Sequence, residues 1–157
     1  MKIGIIVYSY TGNTLSVAER LKTTLEEAGD VVVLESIKAK NENPNTTKIE
    51  LNVIPDARQY DQIILATPVR GFSVSPIMKT YLENWPNLDA KPIACFVTHA
   101  FPFPWLGGNS TLKMMKKLVE DKHAHVVSTG VVNWGSKKRE SDIQKILTDF
   151  SDRKIWS

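Results

Sequence analysis

Ile3-Gly4-Ile5-Ile6-Val7-Tyr8-Ser9-Tyr10-Thr11-Gly12-Asn13-Thr14 is the stretch that decides the fold of this chain. Its first half is a near-continuous apolar run, the pattern of a strand buried on both faces. From Thr14 onward the period changes. Val17, Ala18, Leu21, Leu25 and Ala28 mark one face of a helix that stops at Gly29, a residue suited to a C-terminal cap. A loop that closes a buried strand and opens a helix aims several unpaired backbone N–H groups, and the positive end of the helix dipole, at one point. An anion is expected there. Ser9, Thr11 and Thr14 add hydroxyl donors without charge, and Gly12 permits close backbone approach or a positive φ. The loop has no lysine, so it is not the Gly-Lys-Ser/Thr loop that handles a triphosphate with Mg²⁺. A single phosphomonoester fits better.

The chain has 157 residues, enough to bury about 70% of its unfolded-chain surface, and one domain over 1–157 is expected. The single cysteine, Cys95, lies in the apolar run Ile93-Ala94-Cys95-Phe96-Val97 and reads as a buried, inert thiol in a reducing cytoplasm. Met1-Lys2 leads into too short an apolar run for a secretory leader or a bilayer span, so neither is expected. Net charge is +3, from 20 basic against 17 acidic residues. The lysines are scattered, with small clusters at Lys113, Lys116, Lys117 and Lys122 and at Lys137-Lys138-Arg139; these read as solvated surface, and no nucleic-acid or membrane partner is expected.

Apolar runs and helical periodicity alternate along the chain. Strands are expected at 3–8, 31–35, 62–67, 92–98 and 125–134. Ser75-Pro76 opens a helix through Ile77, Tyr81, Leu82 and Trp85, with a capping serine before a proline at the first helical position. Further helices carry Leu112, Met115, Leu118 and Val119 after Asn109-Ser110, and Ile143, Ile146, Leu147 and Phe150 after Ser141. The segment 38–60 breaks this rhythm: 41–47 reads as an exposed loop, and Ile49-Leu51-Val53 alternates like a short extended segment. Alternating β and α units imply an α/β fold with a parallel sheet, helices on both faces, and a ligand crevice at the carboxyl ends of the strands where strand order reverses. The loops after strands one, three and four should line it.

Two of these loops are stiff and aromatic. The third strand is followed by Thr67-Pro68-Val69-Arg70-Gly71-Phe72-Ser73-Val74-Ser75-Pro76, and the fourth by Thr98-His99-Ala100-Phe101-Pro102-Phe103-Pro104-Trp105-Leu106-Gly107-Gly108. Prolines, glycines and planar groups together suit a flat heteroaromatic ligand. Packing of Phe101, Phe103 and Trp105 as a cluster under the next helix is the other reading, and both stay open here.

Ser9-Tyr10-Thr11-Gly12-Asn13-Thr14 resembles the phosphate loop of flavodoxins, Ser/Thr-x-Thr-Gly-x-Thr directly after the first strand. Thr67-Pro68-Val69-Arg70-Gly71-Phe72 is similar to the second flavin loop of flavodoxin-like proteins, and the loop after strand four takes their third flavin position. The resemblance spans nearly the whole chain. It implies a three-layer sandwich with a five-stranded parallel sheet of order 2-1-3-4-5, and FMN as cofactor. Residues 9–14 would hold the phosphate. Thr67, Pro68, Val69, Arg70, Gly71, Phe72 and Ser73 would line one side of the ring, and Thr98, His99, Ala100 and Phe101 the other.

The flavin then carries the chemistry and the protein tunes it. Arg70 stands where many relatives place an aromatic; a guanidinium can stack on the ring, donate to it, or face solvent. His99 is a candidate proton source or donor to the pyrimidine edge, whereas His123 and His125 read as a helix terminus and a strand start. Tyr10 reads as a loop packing residue. The first loop lacks the cysteine and arginine of low-molecular-weight phosphatases and the paired carboxylates of receiver domains, and no Gly-x-Ser-x-Gly elbow or metal constellation exists.

The expected function is FMN-dependent electron transfer, or reduction of a small acceptor such as a quinone by an NAD(P)H or quinone oxidoreductase. A redox partner protein is the other expected electron partner. A dimer meeting through the aromatic loops is compatible with the sequence. Dedicated carriers of this family are typically strongly acidic, which this chain is not. An interaction or regulatory module with weak or no flavin binding is the alternative.

Overall fold

The computed structural model describes residues 1–43, 46–71, 73–100 and 107–157. Along the chain, β1 (Lys2–Val7) leads to α1 (Asn13–Glu27), β2 (Val31–Ser36), and the short strands β3 (Lys38–Ala39) and β4 (Leu51–Val53). Then follow β5 (Gln62–Arg70), β6 (Ser73–Val74), α2 (Pro76–Glu83), β7 (Pro92–His99), α3 (Gly108–Glu120), β8 (His125–Asn133) and α4 (Arg139–Ser151). The five long strands are all parallel, in the order β2-β1-β5-β7-β8. Counted among themselves they run 2-1-3-4-5, the expected order. From β1 the chain steps outward to β2 and then returns past β1 to β5, so strand order reverses at β1 and opens a crevice at its carboxyl end.

The run that opened the sequence is the middle of this sheet. Ile3, Ile5, Ile6 and Val7 are buried, and successive residues serve opposite faces. On one face Ile3, Ile5, Val7, Ile64 and Phe96 pack with Val17, Leu21 and Leu25 of α1 and Ile143, Ile146 and Phe150 of α4. On the other, Ile6, Ile63, Leu65 and Val97 pack with Ile77, Tyr81 and Leu82 of α2 and Met115 and Val119 of α3. At about 1.5–3 kcal/mol for each fully buried aliphatic side chain, both faces must be covered for the sheet to stand.

Helix starts follow the sequence in one case and depart from it in two. Ser75 accepts from the Met78 N–H (3.3 Å) with Pro76 at the first turn of α2, as expected. By contrast α3 starts at Gly108 behind Gly107 (φ +109), not after Asn109-Ser110, and α4 starts at Arg139 behind Lys138, not after Ser141. The expected caps are used otherwise: Ser110 donates to the Gly107 carbonyl (3.1 Å), and Ser141 lies within the first turn of α4, ahead of which Ser136 accepts from the Lys138 N–H (3.0 Å).

Two loops are more ordered than the sequence suggests. The 38–60 segment contains no α-helix among its described residues; instead β3 and β4 pair antiparallel, and Asp56 caps a 3₁₀ turn at Ala57–Gln59. The stretch from Thr67 is not a loop at its start. β5 continues to Arg70 and folds back antiparallel onto β6, with Val69 opposite Val74 and Arg70 opposite Ser73. Gly71, at φ +53, makes the turn. No helix among the described residues is long and apolar enough to cross a membrane.

Candidate cofactor site

The first loop is shaped by its own hydroxyls. Ser9 Oγ accepts from the backbone N–H groups of Gly12 (3.1 Å) and Leu15 (3.2 Å), and the Ser16 hydroxyl donates to the Asn13 carbonyl (2.7 Å). Gly12 sits at φ +94 with nothing within 4 Å of where a Cβ would be, so its glycine is needed for conformation and not for space. The N–H groups of Thr11, Asn13 and Thr14 donate to no acceptor among the described residues, and the first turn of α1 holds no carboxylate. Three donors and a helix start therefore face an open point.

Two contacts tie this loop to the rest of the crevice. Thr14, wholly buried, shares a 2.8 Å hydroxyl–hydroxyl hydrogen bond with Thr98 near the end of β7. That bond joins the start of α1 to the third loop across 84 residues of sequence. The Arg70 guanidinium lies 5.5 Å from the centre of the Tyr10 ring, which bridges the hairpin to the first loop. Arg70 is half-buried and Tyr10 half-exposed, so the arginine is not a freely solvated side chain and the tyrosine is packed by it.

The family model for the flavodoxin domain matches residues 4–102, well over half of the chain. The chain belongs to the flavodoxin-domain family. No curated protein matches it by sequence. Its fold is similar to that of Megasphaera elsdenii flavodoxin, solved in solution in the two-electron reduced state, at 20% identity and TM-score 0.70, covering 95% of this chain and 98% of that one. A flavodoxin from Streptococcus pneumonia TIGR4 is similar at 14% identity and TM-score 0.67, covering 98% and 99%. A Lactobacillus acidophilus flavoprotein in complex with FMN is similar at 18% identity and TM-score 0.62, covering 92% and 97%.

Within this flavodoxin domain the expected site residues divide into three groups. Ser9, Tyr10, Thr11, Gly12, Asn13 and Thr14 form the loop after β1, with Pro68, Val69, Arg70, Gly71 and Ser73 in or beside the hairpin and Thr98, His99 and Ala100 at the end of β7. Thr67 is wholly buried, and its hydroxyl meets Ser75 at 2.8 Å, so its side chain braces the hairpin against α2. His99 is buried on the sheet face opposite Thr98; a Cβ on Gly108 would meet its ring at 3.2 Å, which places the imidazole against the start of α3. Phe72, Phe101, Phe103 and Trp105 lie outside the described residues.

Two parts of the neighbourhood escaped the sequence reading. The loop after β8 is the first: the Trp134 N–H donates to the His99 carbonyl (2.8 Å), and a Cβ on Gly135 would sit 2.5 Å from the Ala100 carbonyl oxygen. The Trp134-Gly135 pair was the available signal, an aromatic beside a residue that allows close approach. The second is a small pocket beside the hairpin, lined by Tyr8, Tyr10, Glu42, Pro68, Arg70 and Ile77 among others. Burial, then the Glu42 carboxylate, pushes the Tyr8 phenol pKa up, and Arg70 opposes the shift. No periodicity connects Glu42 to Tyr8, because the 41–47 stretch reaches the site only through tertiary folding.

These features fit FMN. A phosphate dianion needs open N–H donors with no nearby carboxylate, as the first loop supplies.

Proposed function

We propose that this protein binds FMN in one domain spanning residues 1–157 and uses it to move electrons in the cytoplasm, to a small acceptor such as a quinone or to a redox partner protein. The observation that carries the reading is the first loop: three N–H groups without acceptors among the described residues, at a helix start, tied to Thr98 and bridged to Arg70. The backbone of Thr11, Asn13 and Thr14, with the Ser9 and Thr11 hydroxyls, would hold the phosphate. The hairpin residues from Pro68 to Ser73 would line one side of the ring, and Thr98 to Phe101 the other.

Bound FMN would supply one- or two-electron chemistry. The chain's own contribution is orientation and electrostatics. A guanidinium at Arg70 favours added negative charge nearby and so raises the reduction potential. Cys95 takes no part: it is wholly buried, and burial pushes its thiol pKa up to about 12.

Titration with FMN, followed by quenching of flavin fluorescence and by protein melting temperature, tests this. Saturable 1:1 uptake is expected, and no uptake with FMN in excess would sink the reading. Turnover of NADH, NADPH and quinones by the loaded protein then separates an enzyme from a carrier: steady nicotinamide consumption means a reductase.

A further inference from the structure

At the carboxyl end of the sheet, where the site lies, Lys113 on the second turn of α3 and Lys137 and Lys138 in the loop before α4 are exposed and form no ion pair among the described residues. Arg139 stands with them over the Trp134 ring, 4.8 Å from its centre. Several carboxylates here are engaged: Glu140 is held by Arg20 (2.6 Å), Glu50 by Lys40 and Lys48 (3.2 Å each), and Asp142 accepts two bonds from Asn133 (3.0 Å each). Glu19 on the second turn of α1 and Glu42 carry no ion pair among the described residues, Glu42 facing Tyr8 and Arg70 on the pocket side. At the amino end both signs are present: Glu27, Glu83, Asp89 and Asp121 carry no ion pair among the described residues, and neither do Lys2, Lys91, Lys117, Lys122 and Lys154.

The cationic rim also carries apolar surface. Met114 is exposed beside Lys113 and takes a bond from the Ser73 hydroxyl at the tip of the hairpin (3.3 Å), Tyr10 is exposed in the first loop, and Trp134 is half-buried under Arg139. Cations beside Met, Tyr and Trp side chains make a docking face for a surface of opposite charge.

We infer that the face formed by Tyr10, Ser73, Lys113, Met114, Trp134, Lys137 and Lys138 docks a protein partner that presents acidic side chains around its own redox centre. This rests on the proposed electron-transfer role, and it inverts the charge arrangement expected of an acidic carrier. A protein fits better than a nucleic acid because the cations form two short clusters, at Lys113 and at Lys137–Arg139, beside apolar side chains and engaged carboxylates, whereas a phosphate backbone calls for a continuous basic track.

The test does not depend on bound flavin. ¹⁵N-labelled protein is titrated at 20 mM salt with an acidic [2Fe–2S] ferredoxin and, separately, with a basic c-type cytochrome. Shifts confined to residues near 10, 73, 109–114 and 134–139, with the ferredoxin alone, are expected. Lys137→Glu should weaken that binding about 3- to 10-fold at 20 mM salt, converging with the native protein near 0.5 M, whereas Lys154→Glu, the same charge change at the other end, should change it less than about 2-fold. Scattered shifts, equal effects of the two reversals, tighter binding of the cytochrome, or tighter binding of a DNA duplex would each overturn the proposal. If FMN uptake fails while the ferredoxin still maps to this face, the electron-transfer reading falls and the docking surface stands.

Discussion

The loop after β1 and the hairpin after β5 lie side by side and are built on opposite plans. The first leaves its backbone donors open: the N–H groups of Thr11, Asn13 and Thr14 have no acceptor among the described residues, and Ser9 uses its side chain to hold the curve. In the hairpin the backbone is spent on pairing with itself, Val69 to Val74 and Arg70 to Ser73, and the Thr67–Ser75 hydroxyl pair braces it from behind. A loop with open amides binds by hydrogen bonding to charge. A paired hairpin offers shape and side chains. The first should therefore read the phosphate of FMN and the second its ring.

The largest effect expected from breaking this division is at Gly12. A carboxylate introduced by Gly12→Asp has room, since nothing lies within 4 Å of its Cβ, and at φ +94 it adds a backbone strain of roughly 1 kcal/mol that bears on FMN and riboflavin alike, while the charge stands beside the phosphate site. Repulsion of roughly 3 kcal/mol, about 100-fold in Kd, is expected for a dianion some 6 Å away at intermediate dielectric. Calorimetric titration with FMN and with riboflavin separates the causes: FMN binding should collapse while riboflavin binding changes by less than about 3-fold. Equal losses for both would mean that the loop does not read phosphate.

The Thr14–Thr98 bond joins the two regions from below, and Thr14→Val leaves a buried hydroxyl at Thr98 without its partner. An orphaned buried hydroxyl costs about 1–3 kcal/mol, which urea unfolding would register. The pair Thr14→Val with Thr98→Val should recover most of that loss, because both partners are then apolar. No recovery would show that the hydroxyls act separately.

Gly71→Ala probes the hairpin. At φ +53 with open space around it, the change costs roughly 1 kcal/mol through backbone conformation alone. FMN and riboflavin affinities should fall together by less than about 10-fold, the opposite of the pattern at Gly12. A loss confined to FMN would break the comparison.

What the sequence disclosed follows the same line. Residues 3–14 were legible because a buried parallel strand and a phosphate loop are both local patterns, set by apolar continuity, hydroxyls and one glycine. The parallel sheet followed from the β-α alternation for a similar reason, and its strand order from the resemblance to flavodoxins. The extension of β5 through Arg70 was not legible, since proline and glycine at 68 and 71 read as breakers, and only the antiparallel partner at Ser73-Val74 shows that they bound a strand end. The starts of α3 and α4 were misplaced because serine and asparagine are cap formers in isolation, while here Ser110 donates to the Gly107 carbonyl and Ser141 lies inside the first turn of α4. Arg70 over Tyr10, Glu42 beside Tyr8 and Trp134 against His99 all join residues from distant segments. Tertiary folding alone brings such pairs together.

The smallest effect is expected behind the first loop, where Arg20 on α1 clasps Glu140 on α4 through two bonds of 2.9 and 2.6 Å. Hydrogen bonding from Arg20, then from Gln144, pulls the Glu140 carboxyl down to about 2 from its ordinary 4.5. A group whose pKa is lowered on folding stabilises the folded state above its unfolded value, and loses that contribution as pH falls through the folded one. The window here runs from about 4.5 to about 2. Because both side chains are exposed, solvent screens the pair, and Glu140→Gln should move the melting temperature at pH 7 by less than about 2 °C. Urea midpoints of the native protein and Glu140→Gln at pH 7, 4 and 2.5 should converge as pH falls, with FMN affinity at pH 7 equal in the two proteins. A gap that widens in acid would reverse the assignment, and a loss of FMN affinity would mean that the clasp sets the position of α1 under the loop.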